Sequence, residues 1–404
     1  MQLATPKGLR LHIAIFGRTN VGKSSFLNCL TQQEVSIVSD LPGTTTDPVE
    51  KPMELLPIGP VLFIDTAGLD DISTIGNLRI EKTLKVFERA DLVILVTEAN
   101  KWTEYEDFVI SKAQHHNTPV LVVLNKTDIL KPDKNIKEDL EKRKIPYVEV
   151  SSKTKNFETT SIVKSKLIEI LPQDFITPPP LIPNGILKKE DFAILVIPID
   201  KEAPKGRIIL PQQQVLREIL DLNANALVTN EKNLKIAIDT LKVKPKIVIT
   251  DSQAFEEVLK TVPEDVYLTS FSILFAANKG DIKEFIESVY TIDKLQDNDK
   301  ILIAESCTHH PIGDDIGRHK IPRWIKERTK KEILVDVYSG KDFPDNLKEY
   351  KLIIQCGGCM MNRKEILSRV YKAKAQNVPI TNYGIAIAYL KGGLERTTKI
   401  FNHL

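Results

Sequence analysis

The chain has 404 residues, which at roughly 150 residues per domain sets an expectation of two to three domains and excludes a small stapled scaffold. Its 56 basic and 54 acidic residues leave a net charge of +2, so composition gives no support to a cationic surface for nucleic acid or membrane, and any basic patch must be local. Four cysteines, Cys29, Cys307, Cys356 and Cys359, are too few for a secreted disulfide framework, and three of them crowd the last hundred residues.

The apolar run 11–16 is short and leads into a Gly-rich turn, so no secretory signal is expected. No run reaches the ~18 to 20 apolar residues that span a bilayer. The expected setting is soluble, reducing and cytoplasmic, with no membrane partner. Runs 11–16, 61–64, 91–97, 120–124 and 147–150 read as buried strands separated by amphipathic helical patterns, a parallel α/β sheet filling a first domain, 1–172. Residues 173–185 are rich in proline, which favours extended backbone and disfavours helix, and read as a linker. In 186–265, strands are expected at 192–199, 226–228 and 246–249 and a helix at 212–222. That segment carries no catalytic motif and reads as a small α/β packing or dimerisation domain. In 266–404 the alternation resumes, with strands expected at 300–304, 332–337, 351–354 and 378–381. Cysteines lie just past two of those strand ends. Ligands of open parallel sheets bind beyond the carboxyl ends of strands, so Cys307 and the Cys356/Cys359 pair can converge on one site.

Gly17-Arg18-Thr19-Asn20-Val21-Gly22-Lys23-Ser24 matches the phosphate loop G-x-x-x-x-G-K-[ST] between a predicted strand and a helix. Gly17 and Gly22 let backbone N–H groups turn toward phosphate oxygens, Lys23 reaches the outer phosphates, and Ser24, followed by Ser25, offers a hydroxyl to Mg²⁺. After the next strand, Asp65-Thr66-Ala67-Gly68 supplies a carboxylate to hold the metal through water and a Gly68 N–H to face the γ-phosphate. Asn125-Lys126-Thr127-Asp128 follows a third strand. There a carboxylate accepts two hydrogen bonds from guanine, whereas adenine would present it with an acceptor and leave a buried charge unpaired. Ser151-Ser152-Lys153 can complete the base pocket. Together the four motifs specify GTP. Arg18 reads as a solvated side chain rather than a catalytic finger, and Cys29 as a small buried hydrophobe.

These motifs resemble the G domain of translation-factor-class GTPases, and more narrowly the bacterial group that contains MnmE and Era. The group's switch segment reads G-T-T-R-D, and here it is Gly43-Thr44-Thr45-Thr46-Asp47, with Thr46 at the arginine position. The resemblance implies that Thr45 is the metal-binding switch threonine, that Lys23, Thr45, Asp65 and Gly68 form the catalytic set, and that Asn20 holds an activating K⁺. Leu69 stands where Ras-type enzymes carry the water-orienting glutamine. Slow, K⁺-assisted hydrolysis is therefore implied.

Glu305-Ser306-Cys307-Thr308-His309-His310-Pro311 and Gln355-Cys356-Gly357-Gly358-Cys359-Met360 supply one isolated thiol and a C-x-x-C pair. Such a set suits three corners of a [4Fe–4S] cluster, or a zinc site made of Cys307, His309, Cys356 and Cys359. Spacing alone leaves iron and zinc open, with a redox C-x-x-C and packed structural thiols as lesser readings. The order of GTPase domain, motif-poor middle domain and C-terminal C-x-H … C-x-x-C resembles the HydF family, the GTPase maturation factors of [FeFe]-hydrogenase. Asp314-Asp315-Ile316-Gly317-Arg318, Lys320-Ile321-Pro322-Arg323 and Thr381-Asn382-Tyr383-Gly384 support it.

The resemblance implies a P-loop GTPase domain, a small α/β dimerisation domain (186–265) and a Rossmann-like α/β cluster-binding domain (266–404). It further implies a homodimer and a [4Fe–4S] cluster on Cys307, Cys356 and Cys359. A transient diiron precursor and partnership with apo-hydrogenase and with the radical-SAM maturation enzymes follow from it as well, while the lack of a K/R-rich stripe with interleaved aromatics near the C-terminus predicts no nucleic-acid role. Many members read H-C-x-x-C, whereas this chain has Gln355, a poor iron ligand. The fourth ligand is then weak and exchangeable, with Glu305 and solvent ahead of His309. The rival reading is an RNA-associated GTPase of the Era and MnmE class with a C-terminal zinc site. A third is an iron-sensing or redox switch read out by the GTPase.

Overall fold

The computed structural model describes residues 5–32, 48–66, 84–153, 157–199, 208–306, 315–340 and 342–402. They form two compact units, Met1–Pro178 and Pro179–Leu404. The switch segment 43–47, residues 67–69, Cys307 and His309 lie outside the described residues.

The first unit is built on a six-stranded sheet of β1 (Leu11–Phe16), β2 (Val49–Leu55), β3 (Gly59–Asp65), β4 (Leu92–Glu98), β5 (Val120–Asn125) and β6 (Tyr147–Glu149), in the order β2-β3-β1-β4-β5-β6. All pairs are parallel except β2 with β3. Both faces are covered. Ile13, Ile15, Ile94 and Val96 pack with Phe26, Leu27, Leu30 and Leu167, while Ala14, Phe16, Val93 and Leu95 pack with Phe87, Val109 and Ile110. Burial on both faces is why these strands read as unbroken apolar runs. The carboxyl ends of β1, β3, β4, β5 and β6 point the same way, so the loops after them gather along one edge of the sheet.

At the end of the first unit, a single helical turn, Gln173–Ile176, occupies part of the stretch expected to be extended. Pro172 caps its start, where a missing N–H costs nothing. Leu181 and Ile182 already belong to the second unit, buried, with their N–H groups donating to the Glu218 carboxylate at 2.9 and 2.7 Å.

The second unit holds two four-stranded parallel sheets. The first comprises β7 (Phe192–Val196), β8 (Asn225–Thr229), β9 (Ile247–Thr250) and β10 (Tyr267–Ser270), ordered β10-β9-β7-β8. The second comprises β11 (Lys300–Ala304), β12 (Leu334–Tyr338), β13 (Leu352–Gln355) and β14 (Ile380–Asn382), ordered β12-β11-β13-β14. The two orders are the same: the opening strand is flanked by the second strand on one side and by the third, then the fourth, on the other. Each sheet therefore has a topological switch point, between β7 and β9 and between β11 and β13, where the chain leaves a crevice beyond the strand ends.

The expected boundary after residue 265 cuts this arrangement, because β10 pairs with β9 in register from Tyr267 opposite Ile247. Directly after it, Ser270 caps the helix Phe271–Lys279 by accepting from the Ile273 N–H at 3.2 Å. This helix packs on the helix Leu210–Asp221 of the first sheet's layer and on the helices Arg363–Ala375 and Tyr383–Leu390 of the second. Its Phe271, Leu274 and Phe275 join Leu195 and Ile249 to Ile301, Ile303 and Ile354 in one continuous core.

Candidate functional site

The phosphate loop runs from the end of β1 into the helix Lys23–Thr31. Gly22 has φ +95°, and a Cβ there would lie 2.5 Å from Asn125 Nδ2, so glycine is required by both conformation and space. Lys23 Nζ donates to the Gly17 and Arg18 carbonyls at 2.7 and 2.9 Å, holding the loop curled around its own ammonium. Asn20, Ser24 and Ser25 are exposed at the mouth of the loop, with the helix's N-terminal N–H groups behind the two serines.

Asp65 closes β3 beside them. Its Oδ1 is buried and has no hydrogen-bond partner among the described residues. Burial pushes its carboxyl above the usual range, against the opposing pull of Lys23 and Lys51. A buried, unpartnered carboxylate oxygen that feels the charge of Lys23, together with the exposed hydroxyl of the next residue, Ser24, is the donor chemistry that a hydrated hard cation requires, so these residues fit Mg²⁺.

Asn125 does not face the mouth. Its Nδ2 donates to the Val21 carbonyl at 2.9 Å, and its Oδ1 accepts from Ser152 N and Oγ at 3.2 and 2.8 Å. It ties the phosphate loop to the loop after β6, a role the linear motif does not display. Lys126 has φ +64°, and its ammonium bonds Glu98 Oε1 at 2.6 Å. Asp128 and Lys153 are exposed, and Ser151 is half-buried. Thr45 and Gly68 lie outside the described residues.

Arg18 departs from its expected solvated state. Its Nε donates to Glu106 Oε1 at 2.7 Å, and its Nη2 to Thr97 Oγ1 and the Lys101 carbonyl, each at 3.2 Å. Glu106 is fully buried and must be paired, which fixes Arg18 away from the nucleotide mouth. Cys29 is buried in the packed face of its helix, as expected.

The second candidate site opens at the switch point of β11 and β13. Cys356 follows β13 directly, and its N–H donates to the carbonyl of Ala304, the last residue of β11, at 2.9 Å. Its Sγ accepts from Ser306 N at 3.0 Å and pairs with Ser306 Oγ at 2.8 Å. The residue before Cys307 thus lies against the Cys356 thiol. Burial pushes that thiol up, while hydrogen bonds from Ser306 and the Gly358 N–H pull it down. Gly358, at φ +63°, gives the turn a left-handed step between the two cysteines. Cys356 and Cys359 are half-buried and carry no disulfide. Among the described residues no three His, Cys, Asp or Glu side chains gather as a metal cage. Two soft thiols at a crevice, one supported by N–H and O–H donors, fit a thiolate-bound metal or cluster.

Gln355 is wholly buried. Its Oε1 accepts from Arg369 Nη1 at 3.0 Å, and its Nε2 lies 3.6 Å from Cys356 Sγ. Arg369 also bonds the Gly340 carbonyl at 2.8 Å and stacks over Phe343. Glu305, weighed as a fourth ligand, has its carboxylate held by Arg318 Nη2 at 2.8 Å and Ser339 Oγ at 2.9 Å. To ligate, it must leave that pair. Arg318 is accordingly an ion-pair partner of Glu305. The Tyr383 hydroxyl is buried nearby without a partner among the described residues, in space that exists because residue 317 is glycine: a Cβ there would lie 1.8 Å from the oxygen. None of these pairings is visible as a sequence motif.

Three family models match the chain in order. A 50S ribosome-binding GTPase model matches residues 12–126, a hydrogen maturase F dimerization domain residues 182–280, and a hydrogen maturase F tetramerization domain residues 283–400. The tRNA modification GTPase MnmE of Prochlorococcus marinus (strain NATL1A) is 47% identical over 122 residues, 30% of this chain and 26% of its own length. That of Helicobacter acinonychis is 39% identical over 158 residues, 39% of this chain and 34% of its own. The chain thus spans only about a quarter to a third of these curated relatives. Among solved structures, the G domain of the T. maritima FeoB iron transporter is 26% identical at a TM-score of 0.32, covering 40% of this chain and 98% of its own. Aquifex aeolicus Era bound to GDP and aluminium fluoride is 22% identical at 0.34, covering 62% and 97%. No helix among the described residues is long and apolar enough to cross a membrane.

Proposed function

Because the chain belongs to the hydrogen maturase F family, its two family-specific domains following a GTPase domain, we propose that it is a GTP-hydrolysing scaffold for [FeFe]-hydrogenase maturation. In this reading Cys307, Cys356 and Cys359 bind a [4Fe–4S] cluster, and a homodimer receives the diiron precursor and passes it to apo-hydrogenase. The radical-SAM maturation enzymes are its other partners. The observation that carries the reading is the contact of Ser306 N and Oγ with Cys356 Sγ, which brings the chain that follows β11 against the chain that follows β13.

For hydrolysis, the loop N–H groups and Lys23 bind the phosphates, Asp128 selects guanine, and Asn125 keeps the phosphate and base loops in register. Mg²⁺ at Ser24, Thr45 and Asp65 supplies neutralisation of phosphate charge. Leu69 offers no side chain to orient water, and in this reading Asn20, exposed at the loop, holds K⁺. Gly68, outside the described residues, would supply an N–H to the γ-phosphate.

At the cysteine site a cluster supplies redox and bridging chemistry. The chain's own contribution is a wall of donors, Ser306 and Gln355, on one thiolate. A fourth corner without a protein side chain of strong affinity suits exchange, since Gln355 is held by Arg369 and Glu305 by Arg318.

Anaerobic purification with iron and sulfide quantitation tests this. About four iron and four sulfide per chain are expected, with a paramagnetic signal on reduction. A colourless chain with one zinc and no reconstitution would favour the RNA-associated reading. In parallel, GTP turnover is expected to be faster in K⁺ than in Na⁺, and equal rates remove the role given to Asn20.

A further inference from the structure

The cysteine turn is gripped by a residue from a different element. Lys279 ends the helix Phe271–Lys279, is only 4% exposed, and donates from Nζ to the Gly358 carbonyl at 2.9 Å and the Met361 carbonyl at 2.8 Å. These carbonyls bracket Cys359. The helix end is pinned in turn: Asn278 Nδ2 donates to the Pro179 carbonyl at 2.7 Å, and the Asn278 carbonyl accepts from Arg363, the first residue of the helix after the turn.

A buried ammonium is costly unless charge or hydrogen bonds compensate it. Among the described residues no carboxylate forms an ion pair with Lys279, and its aromatic neighbour is Phe275, 5.6 Å from Nζ to ring centre. Burial lowers its pKa to about 8, and the groups acting against that are Cys359, then Cys356, then Glu365. The two N–H donors of a neutral amide would suffice to hold two carbonyls. A full positive charge placed there has a purpose when the thiols are thiolates carrying an anionic group.

We propose that Lys279 is a positioning residue for the cysteine turn, clamping it through Gly358 and Met361 and supplying the counter-charge that sets the reduction potential of the group bound by Cys356 and Cys359. This rests on the cluster reading given above. A positive charge beside a cluster favours the state holding one more electron, so losing it drives the potential negative.

The test uses the full chain, reconstituted anaerobically and titrated by EPR-monitored reduction, with Lys279→Met, Lys279→Gln and Lys279→Arg. All three variants keep their GTPase rate, since Lys279 lies outside the nucleotide site. Removing the charge in Lys279→Met and Lys279→Gln is expected to shift the reduction equilibrium about tenfold toward the oxidised cluster, about 59 mV for one electron. Lys279→Arg restores the wild-type value. Lys279→Gln can still donate to one turn carbonyl, so it decides the matter if Lys279→Met does not fold. An unchanged midpoint potential in the neutral variants, or an equal shift in Lys279→Arg, overturns the role of Lys279 and leaves the cluster standing. A wild-type chain that takes up no iron overturns the cluster assignment itself, and this role with it.

Discussion

The side-chain amide of Gln355 is oriented by its neighbour: a guanidinium can only donate, so Oε1 must face Arg369 and Nε2 is left for the Cys356 sulfur. Gln355→Leu deprives a buried Arg369 of one acceptor and is expected to destabilise the second unit by about 1 to 3 kcal/mol in urea unfolding. Gln355→Glu keeps the acceptor and is expected to retain stability.

His12, in β1, is buried, with Nε2 3.1 Å from the Lys7 carbonyl. Burial lowers its pKa from 6.5 to about 4, with Arg89 and Lys7 also opposing its charge and Glu50 favouring it. Its folded value lies below its unfolded one, so its contribution is complete above pH 6.5 and is lost as pH falls toward 4, on the order of 3 kcal/mol. His12→Gln is expected to flatten the acid limb of a Tm-against-pH profile in that window. Nucleotide residues were legible because phosphate and guanine chemistry demand contiguous motifs. Lys279 and the Arg369 pairing of Gln355 were not, since the partners lie 79 and 14 residues away and only the fold brings them together.

Strands were legible where both faces are buried, as in β1, β4, β5 and β11. β2 was missed for a physical reason: Val49–Leu55 carries Glu50, Lys51, Pro52 and Glu54, a composition that only an edge strand tolerates, and β2 is an edge. β10 was missed because Tyr267-Leu268-Thr269-Ser270 offers only two adjacent apolar residues and runs straight into the helix that Ser270 caps. At the opposite side of its sheet, β8 is also an edge, with Val228 46% exposed and Ile236 exposed on the adjoining helix Leu234–Thr240. This edge lies within the dimerization-domain match. A lysine on an edge opposes pairing with a second strand, so Val228→Lys is expected to weaken self-association about tenfold or more in sedimentation analysis.

Across the whole molecule, the core divides at Pro178 and not between the two maturase domains. A fragment of residues 1–178 is therefore expected to fold, bind GTP and melt cooperatively alone. A fragment of residues 182–280 is expected to aggregate or melt without a clear transition by circular dichroism, because Phe271, Leu274 and Phe275 lose the facing layer of Ile301, Ile303 and Ile354. Within that shared body the same strand order is built twice, and the two crevices carry different loops: Asp251-Ser252-Gln253 after β9, Cys356-Gly357-Gly358 after β13. For an evolving lineage, gaining or losing a thiol-bearing site in such a body is a matter of a few codons in a loop. The inherited packing of Leu195, Ile249, Ile303 and Ile354 is left untouched by the change.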